Sequence, residues 1–206
     1  MPTLPPVRIA VLVSGSGSNL QALLDAGDDL GAEIVLVLSD KADAYGLERA
    51  RGAGIPTAVV RWADHADRAA FTTAVCDAIQ GAGAEAVVLA GFMRILSAEA
   101  VERFPLRILN IHPSLLPSFP GAHAVEDSLA HGAKVTGVTV HFVDEQVDHG
   151  PVIAQRPVLI EEGDDADSLH ARIQQVEHQF YPQVVAAFAA GRITVEGRTV
   201  HWEEPS

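Results

Sequence analysis

Short apolar runs alternate with helix-like segments through residues 1–111, and this alternation constrains the fold more than any other feature of the chain. Residues 7–13, 34–38, 57–60, 86–90 and 106–111 read as strands. Runs this apolar are expected where a strand is covered on both faces of a parallel sheet. Between them, residues 18–26, 44–52, 67–80 and 97–103 read as helices, the first opened by Ser18 or Asn19. In 67–80 the residues Phe71, Val75, Ala78 and Ile79 share one stripe, and Gly81 is the expected stop. Ser97 is the expected N-cap of 97–103. The pattern predicts an α/β fold with one doubly wound, mostly parallel sheet. The second half changes character. Val138, Val140 and Phe142 alternate with Thr139 and His141 in 137–143, which can pair antiparallel with 151–160. Residues 167–190 read as a long helix that Pro182 should bend or divide, with Leu169, Ile173, Val176, Phe180 and Val184 facing the core. Residues 192–195 and 198–202 read as a small terminal hairpin around Glu196-Gly197.

Ligands of doubly wound sheets bind beyond the carboxyl ends of the strands. Three segments, 14–19, 91–96 and 110–117, lie just past such ends, which implies one composite site. Asn110 and His112 alternate with Leu109 and Ile111 and should project to the same side. Pro113 ends the strand. An amide beside an imidazole can hold an oxyanion and move a proton. A carboxylate such as Asp148, in the turn Asp148-His149-Gly150-Pro151, would keep that imidazole charged and oriented. Taken singly, each of these residues has a plain structural explanation; their grouping is what points to chemistry.

Ser14-Gly15-Ser16-Gly17-Ser18-Asn19 joins a strand to a helix. Glycines let the backbone approach an anion, and a helix N-terminus offers free N–H groups. A dinucleotide fingerprint would need a third Gly at position 20, which is Leu20. Asp40 stands about where a ribose-binding acid would be, so that reading is not empty. No Lys-Ser/Thr follows the loop, which excludes a P-loop. A tight turn without ligand is the remaining alternative. Past the fourth strand, Phe92-Met93-Arg94-Ile95-Leu96 sets apolar residues around one Arg; core packing explains the apolar residues better than it explains the Arg.

The net charge of -13 argues against nucleic acid or an anionic membrane as the main partner. It also means that an anionic substrate must be attracted locally. The one cysteine, Cys76, excludes an internal disulfide and is expected in the core. No apolar run of about 18 residues spans a membrane, and the start lacks a signal-peptide pattern, so the chain is expected to be soluble and cytoplasmic. The nine His show no His-Glu-x-x-His spacing, so no metal is expected.

The string NIHPSLLPSFPGAHA, then GVTVHFVD and DHGPVIAQ, resembles the folate-dependent formyltransferases. VLVSGSGSNLQALLDA, SDKADAYGLERARGAGI and VVLAGFMRILS agree, so the resemblance runs from about residue 7 to 191. It is similar above all to the branch that formylates glycinamide ribonucleotide in purine synthesis. The resemblance implies a Rossmann-like single domain over 1–206: a phosphate-binding half (1–111), a catalytic and folate-loop half (112–191) and a terminal hairpin and tail (192–206). It implies 10-formyltetrahydrofolate as formyl donor and glycinamide ribonucleotide as acceptor, in a monomer or homodimer. By it, Asn110, His112 and Asp148 are catalytic, with Asp148 raising the His112 pKa. Gly15, Gly17, Ser18, Asn19 and Glu177 would hold the ribonucleotide, and Arg68, Met93, Arg94, Ile95, Leu96 and Asn110 the folate. The loop 144–149 would close over the pterin; His123, His141 and His178 are lesser candidates. Two relatives compete. Formyltetrahydrofolate deformylase carries a preceding regulatory domain, for which 1–6 leave no room, and tends to have a second His where Pro113 stands. Methionyl-tRNA formyltransferase carries a following nucleic-acid-binding domain, for which 192–206 are too few. A dinucleotide-binding oxidoreductase is the alternative from another class.

Overall fold

The computed structural model describes residues 5–202. Five parallel strands form the first part of the sheet: β1 (Val7–Val13), β2 (Ala32–Ser39), β3 (Thr57–Val59), β4 (Ala86–Leu89) and β5 (Ile108–His112). Two antiparallel strands, β6 (Val135–Phe142) and β7 (Val152–Leu159), extend it past β5. The sheet order is β3-β2-β1-β4-β5-β6-β7, so the doubly wound, mostly parallel sheet with a mixed second half is found as expected. The hairpin β8 (Ile193–Glu196) and β9 (Thr199–Trp202) forms a separate two-stranded sheet.

Strand β1 shows why the sheet is buried on both sides. Ile9, Val11 and Val13 join one apolar cluster, and Ala10 and Leu12 join the other. The first cluster takes in α1 (Ser18–Asp25), α2 (Tyr45–Gly52) and α6 (Ala166–Ala189) through Leu20, Leu23, Leu47, Ile173 and Val184. The second takes in α3 (Arg68–Gly81) and α4 (Ala98–Arg103) through Phe71, Val75, Ile79 and Ala100. Successive strand residues pointing to opposite faces, each met by apolar helix stripes, is the arrangement that burial of such runs requires. Cys76 lies in the second cluster, and burial pushes its thiol up to about 11.

Local details depart from expectation. Helix α1 is opened by Gly17, in a left-handed conformation at φ 67, and not by a Ser18 or Asn19 side chain. A Cβ at Gly17 would lie 2.6 Å from the Cα of Gly46, so neither φ nor space admits a side chain. Gly81 belongs to α3, and the left-handed stop is Gly83, whose N–H returns to the Gln80 carbonyl at 2.8 Å. Ser97 stands at the N-cap of α4 but makes no side-chain capping bond. Pro182 does not divide α6, which runs as one 24-residue helix from a capping box at Asp165 and Ser168. A short helix, α5 (Ala124–Ala130), occupies part of 118–135, where none was expected. Among the described residues no helix is long and apolar enough to cross a membrane.

Candidate active site

The ends of β1 and β4 are neighbours at the point where chain connections leave the sheet in opposite directions, the usual ligand crevice of such folds. Ser14 N–H bonds the Gly91 carbonyl at 2.9 Å. Ser14 Oγ donates to Asp40 Oδ1 at 2.6 Å and accepts from Met93 N–H at 2.8 Å. Arg94 Nε donates to Asp40 Oδ2 at 2.7 Å. Asp40 is thus consumed inside the protein, which removes the ribose-binding acid on which the dinucleotide alternative depended.

One step further along the chain, Gly17 turns it into α1 with no side chain capping the first turn. That leaves the leading N–H groups of the helix facing outward, the arrangement that attracts anions. Asn19 Nδ2 donates to Glu177 Oε2 at 2.9 Å, linking this turn to α6. The Asn19 Oδ1 is buried without a partner. Burial pushes the Glu177 carboxyl up to about 7, against the opposing pull of the Asn19 amide. One helical turn on, Tyr181 Oη donates to the carbonyls of Leu89 at 2.9 Å and Leu109 at 3.1 Å, which ties α6 to the end of β4 and to β5.

At the end of β5 the expected trio does converge. Asp148 Oδ2 lies 3.4 Å from His112 Nδ1, and Asp148 Oδ1 lies 3.7 Å from His141 Nε2. Asn110 pairs with His141 across β5 and β6, with Asn110 Nδ2 3.1 Å from His141 Nε2. His141 Nδ1 stands 2.8 Å from the Phe142 carbonyl, which can only accept, so Nδ1 carries the proton. The Asn110 amide presents its Nδ2 to this ring, and His141 Nε2 also lies within reach of Asp148 Oδ1, so the imidazole bridges the amide and the carboxylate. His141 is therefore central; its alternation with Val140 and Phe142 was visible in the sequence, but its pairing with Asn110 was not.

Two backbone groups complete the cluster. His112 Nε2 is 2.9 Å from the Phe119 carbonyl, and Gly121 N–H donates to Asp148 Oδ2 at 2.7 Å. Phe119 and Asp148 both have left-handed backbones, φ 53 and φ 52, a conformation that costs a non-glycine residue roughly 1 kcal/mol or more. Gly150 allows the chain to turn beside them: a Cβ there would come within 1.8 Å of the Phe142 carbonyl oxygen. The electrostatics correct one expectation. Burial pushes His112 below its ordinary 6.5, although the Phe119 carbonyl and Asp148 both pull upward. Asp148 acts in the direction expected, but desolvation of the imidazolium wins. Asp148 itself is raised by burial yet falls below the ordinary carboxylate value through His141, the Gly121 N–H and His112 together.

These groups line one end of a cavity of about 370 Å³, within the range of small-molecule sites. Its other walls are 91–97 and 143–148, so Met93, Arg94, Ile95 and Leu96 line it as expected, as does the 144–148 part of the loop. Arg68 is not brought there; its side chain is exposed on the first turn of α3. Gly15 is exposed with open space around it, and His123 is exposed at the start of α5. Among the described residues no three His, Cys, Asp or Glu side chains form a metal-holding group.

A parallel-sheet crevice with an uncapped helix start, and beside it an amide, two imidazoles and a carboxylate, defines an α/β enzyme of the group-transfer kind. The formyl transferase family matches residues 7–185, and the chain belongs to that family. It is 46% identical over 200 residues to a phosphoribosylglycinamide formyltransferase of Mycobacterium tuberculosis, covering 97% of this chain and 93% of that one. It is 45% identical over 198 residues to the trifunctional purine biosynthetic protein adenosine-3 of Bos taurus, covering 95% of this chain and 20% of that protein. The crystal structure of glycinamide ribonucleotide transformylase 1 from Symbiobacterium toebii superposes with a TM-score of 0.94 at 47% identity, covering 97% and 95% of the two chains.

Proposed function

We propose that the enzyme transfers the formyl group of 10-formyltetrahydrofolate to the amine of glycinamide ribonucleotide, a step of purine synthesis, and that residues 1–206 act as one formyltransferase domain. The observation that carries the reading is the convergence of Asn110, His112 and Asp148 at one end of a cavity walled by 91–97 and 143–148. The ribonucleotide phosphate sits on the backbone of Gly15, Gly17, Ser18 and Asn19, where an uncapped helix start supplies attraction that a chain of charge -13 does not. Glu177, held toward that turn by Asn19, receives the sugar hydroxyls. The pterin lies between Met93–Leu96 and the 143–148 loop, with the tail of the folate leaving the cavity toward the exposed Arg68 of α3.

The amine attacks the formyl carbon, a C–N bond forms, and the carbonyl oxygen becomes an oxyanion. An N–H of Asn110 and the Nε2–H of His112 donate to it, His112 exchanging the Phe119 carbonyl for that oxygen. Both His112 nitrogens face acceptors, Phe119 O and Asp148 Oδ2, so the negative charge of the intermediate favours a protonated ring that burial alone disfavours. Asp148 orders a water that takes a proton from the amine and passes it to the leaving nitrogen as the old C–N bond breaks. Holding both substrates in line supplies a large share of the acceleration.

The test is a spectrophotometric assay of folate release with and without glycinamide ribonucleotide. Release that depends strictly on the ribonucleotide is the expected result. Release without acceptor would make the enzyme a deformylase, and no release in either mixture would overturn the reading.

A further inference from the structure

Asp40 stands just past β2, and the chemistry above gives it no part. We infer that it is a positioning residue for the donor-facing wall, acting through Ser14 and Arg94; the inference rests on the reading of that cavity as the folate pocket.

The Asp40 side chain is fully buried. An ionised carboxylate tolerates that only when its oxygens are satisfied. Oδ1 accepts from Ser14 Oγ and Oδ2 from Arg94 Nε. With its proton committed to Asp40, Ser14 Oγ presents a lone pair to Met93 N–H, while Ser14 N–H holds the Gly91 carbonyl. Asp40, Ser14 and Met93 thus link the ends of three neighbouring strands, β2, β1 and β4.

The wall needs such a tether. Residues 92–97 form no regular structure, and the Met93 and Ile95 side chains are 67% and 55% exposed, so packing does little to hold them. The Arg94 guanidinium also lies 5.5 Å from the Trp62 ring centre, which leaves it clamped between ring and carboxylate. Remove the carboxylate, and Ser14 loses the partner that orients its lone pair, while Arg94 is free to swing. The first ligand-facing consequence is a looser pocket wall. The chemistry at Asn110 and His112 lies on another strand and should proceed as before once the donor is bound.

Asp40→Ala loses both links. Asp40→Asn turned with its NH₂ toward Ser14 makes Ser14 Oγ accept instead of donate, strands the buried Ser14 O–H, and offers Arg94 a neutral oxygen in place of a charged one, so both links are weakened. The expected ordering of donor KM is wild type, Asn, then Ala, with Ala raised about tenfold, the scale of one net hydrogen bond to a charged group. The kcat and the ribonucleotide KM should stay within about twofold of wild type, because those contacts are unchanged. Arg94→Ala alone should raise donor KM, and adding Asp40→Ala to it should raise it less than the separate effects predict. Calorimetric titration with tetrahydrofolate, without acceptor, reads the same ordering independently of turnover. A wild-type protein that binds no tetrahydrofolate would overturn the folate-pocket reading itself. Wild-type binding with unchanged donor KM in Asp40→Asn, or fully additive Asp40 and Arg94 effects, would overturn the role of Asp40 alone. Should Asp40→Ala fail to fold, Asp40→Asn and the half-exposed Arg94→Ala still decide.

Discussion

The ends of β1 and β5 are built by opposite means. After β1 the anion-facing groups are main-chain N–H groups at the start of a regular helix, fixed by the close contact of Gly17 with Gly46. After β5 the functional groups are side chains, braced by loop residues with left-handed backbones and by single hydrogen bonds to the Phe119 carbonyl and from the Gly121 N–H. A backbone cradle suits a group that only has to be held. Side chains braced by exchangeable loop contacts suit groups that must change hydrogen-bond partner during a reaction. The first region should therefore govern binding and the second turnover.

Removing an oxyanion donor is the severest way to test that division. His112→Ala or Asn110→Ala should cost at least about two decades in kcat, near 3 kcal/mol, with the ribonucleotide KM little changed. Steady-state kinetics in both substrates check it; a loss carried by KM alone would erase the distinction between the regions.

Glu177 makes the binding side the costlier to fold. Its carboxyl holds its proton up to about pH 7 when folded, against an ordinary 4.5. The folded state thus binds the proton more tightly than the unfolded one. Stability is fullest below about 4.5, falls as pH rises, and levels off past 7, a loss of about 3 kcal/mol at roughly 1.4 kcal/mol per unit. Glu177→Gln should match wild type at pH 4 and exceed it by about that amount at pH 8 in urea unfolding. Parallel stability curves would show that burial at this position carries no such penalty.

Tyr181 ties α6 to β4 and β5, the strands between and beneath these regions, through the Leu89 and Leu109 carbonyls. Tyr181→Phe should cost about 1–2 kcal/mol of stability, seen as a lower urea midpoint, with a modest fall in kcat. The smallest shift to be read is that of Asp148→Asn on the His112 titration, beside the fall in kcat expected of the residue that orders the relay water. Asn tolerates the left-handed backbone, so the turn survives. With the Asp148 charge gone, the upward pull on His112 weakens and its titration, followed by NMR, should move further below 6.5. A move upward would mean that Asp148 does not act on the ring as a charge.

The parallel strands and their ligand-bearing ends were legible because apolar runs, turns and the Asn110/His112 alternation are local patterns. The site was legible only in part. His141 matters because β6 sets it opposite Asn110, a register that no local pattern records. Phe119 and Gly121 act through backbone atoms, which leave no mark in residue type. Helix α5 is seven residues long and lies in a stretch rich in Pro and Gly, so its periodicity is too short to read. The neutral tendency of His112 follows from how deeply it is buried, which spacing alone does not reveal.

Cys76, the chain's one cysteine, is closed off in the α3 face of the core with its thiol held near 11. At neutral pH almost none of it is thiolate, and thiolate is the reactive form. A sulfhydryl reagent should therefore find nothing to modify until α3 leaves the sheet. The molecule carries a built-in one-site clock: its alkylation rate reports how often this part of the core opens, with no label added and no cysteine removed.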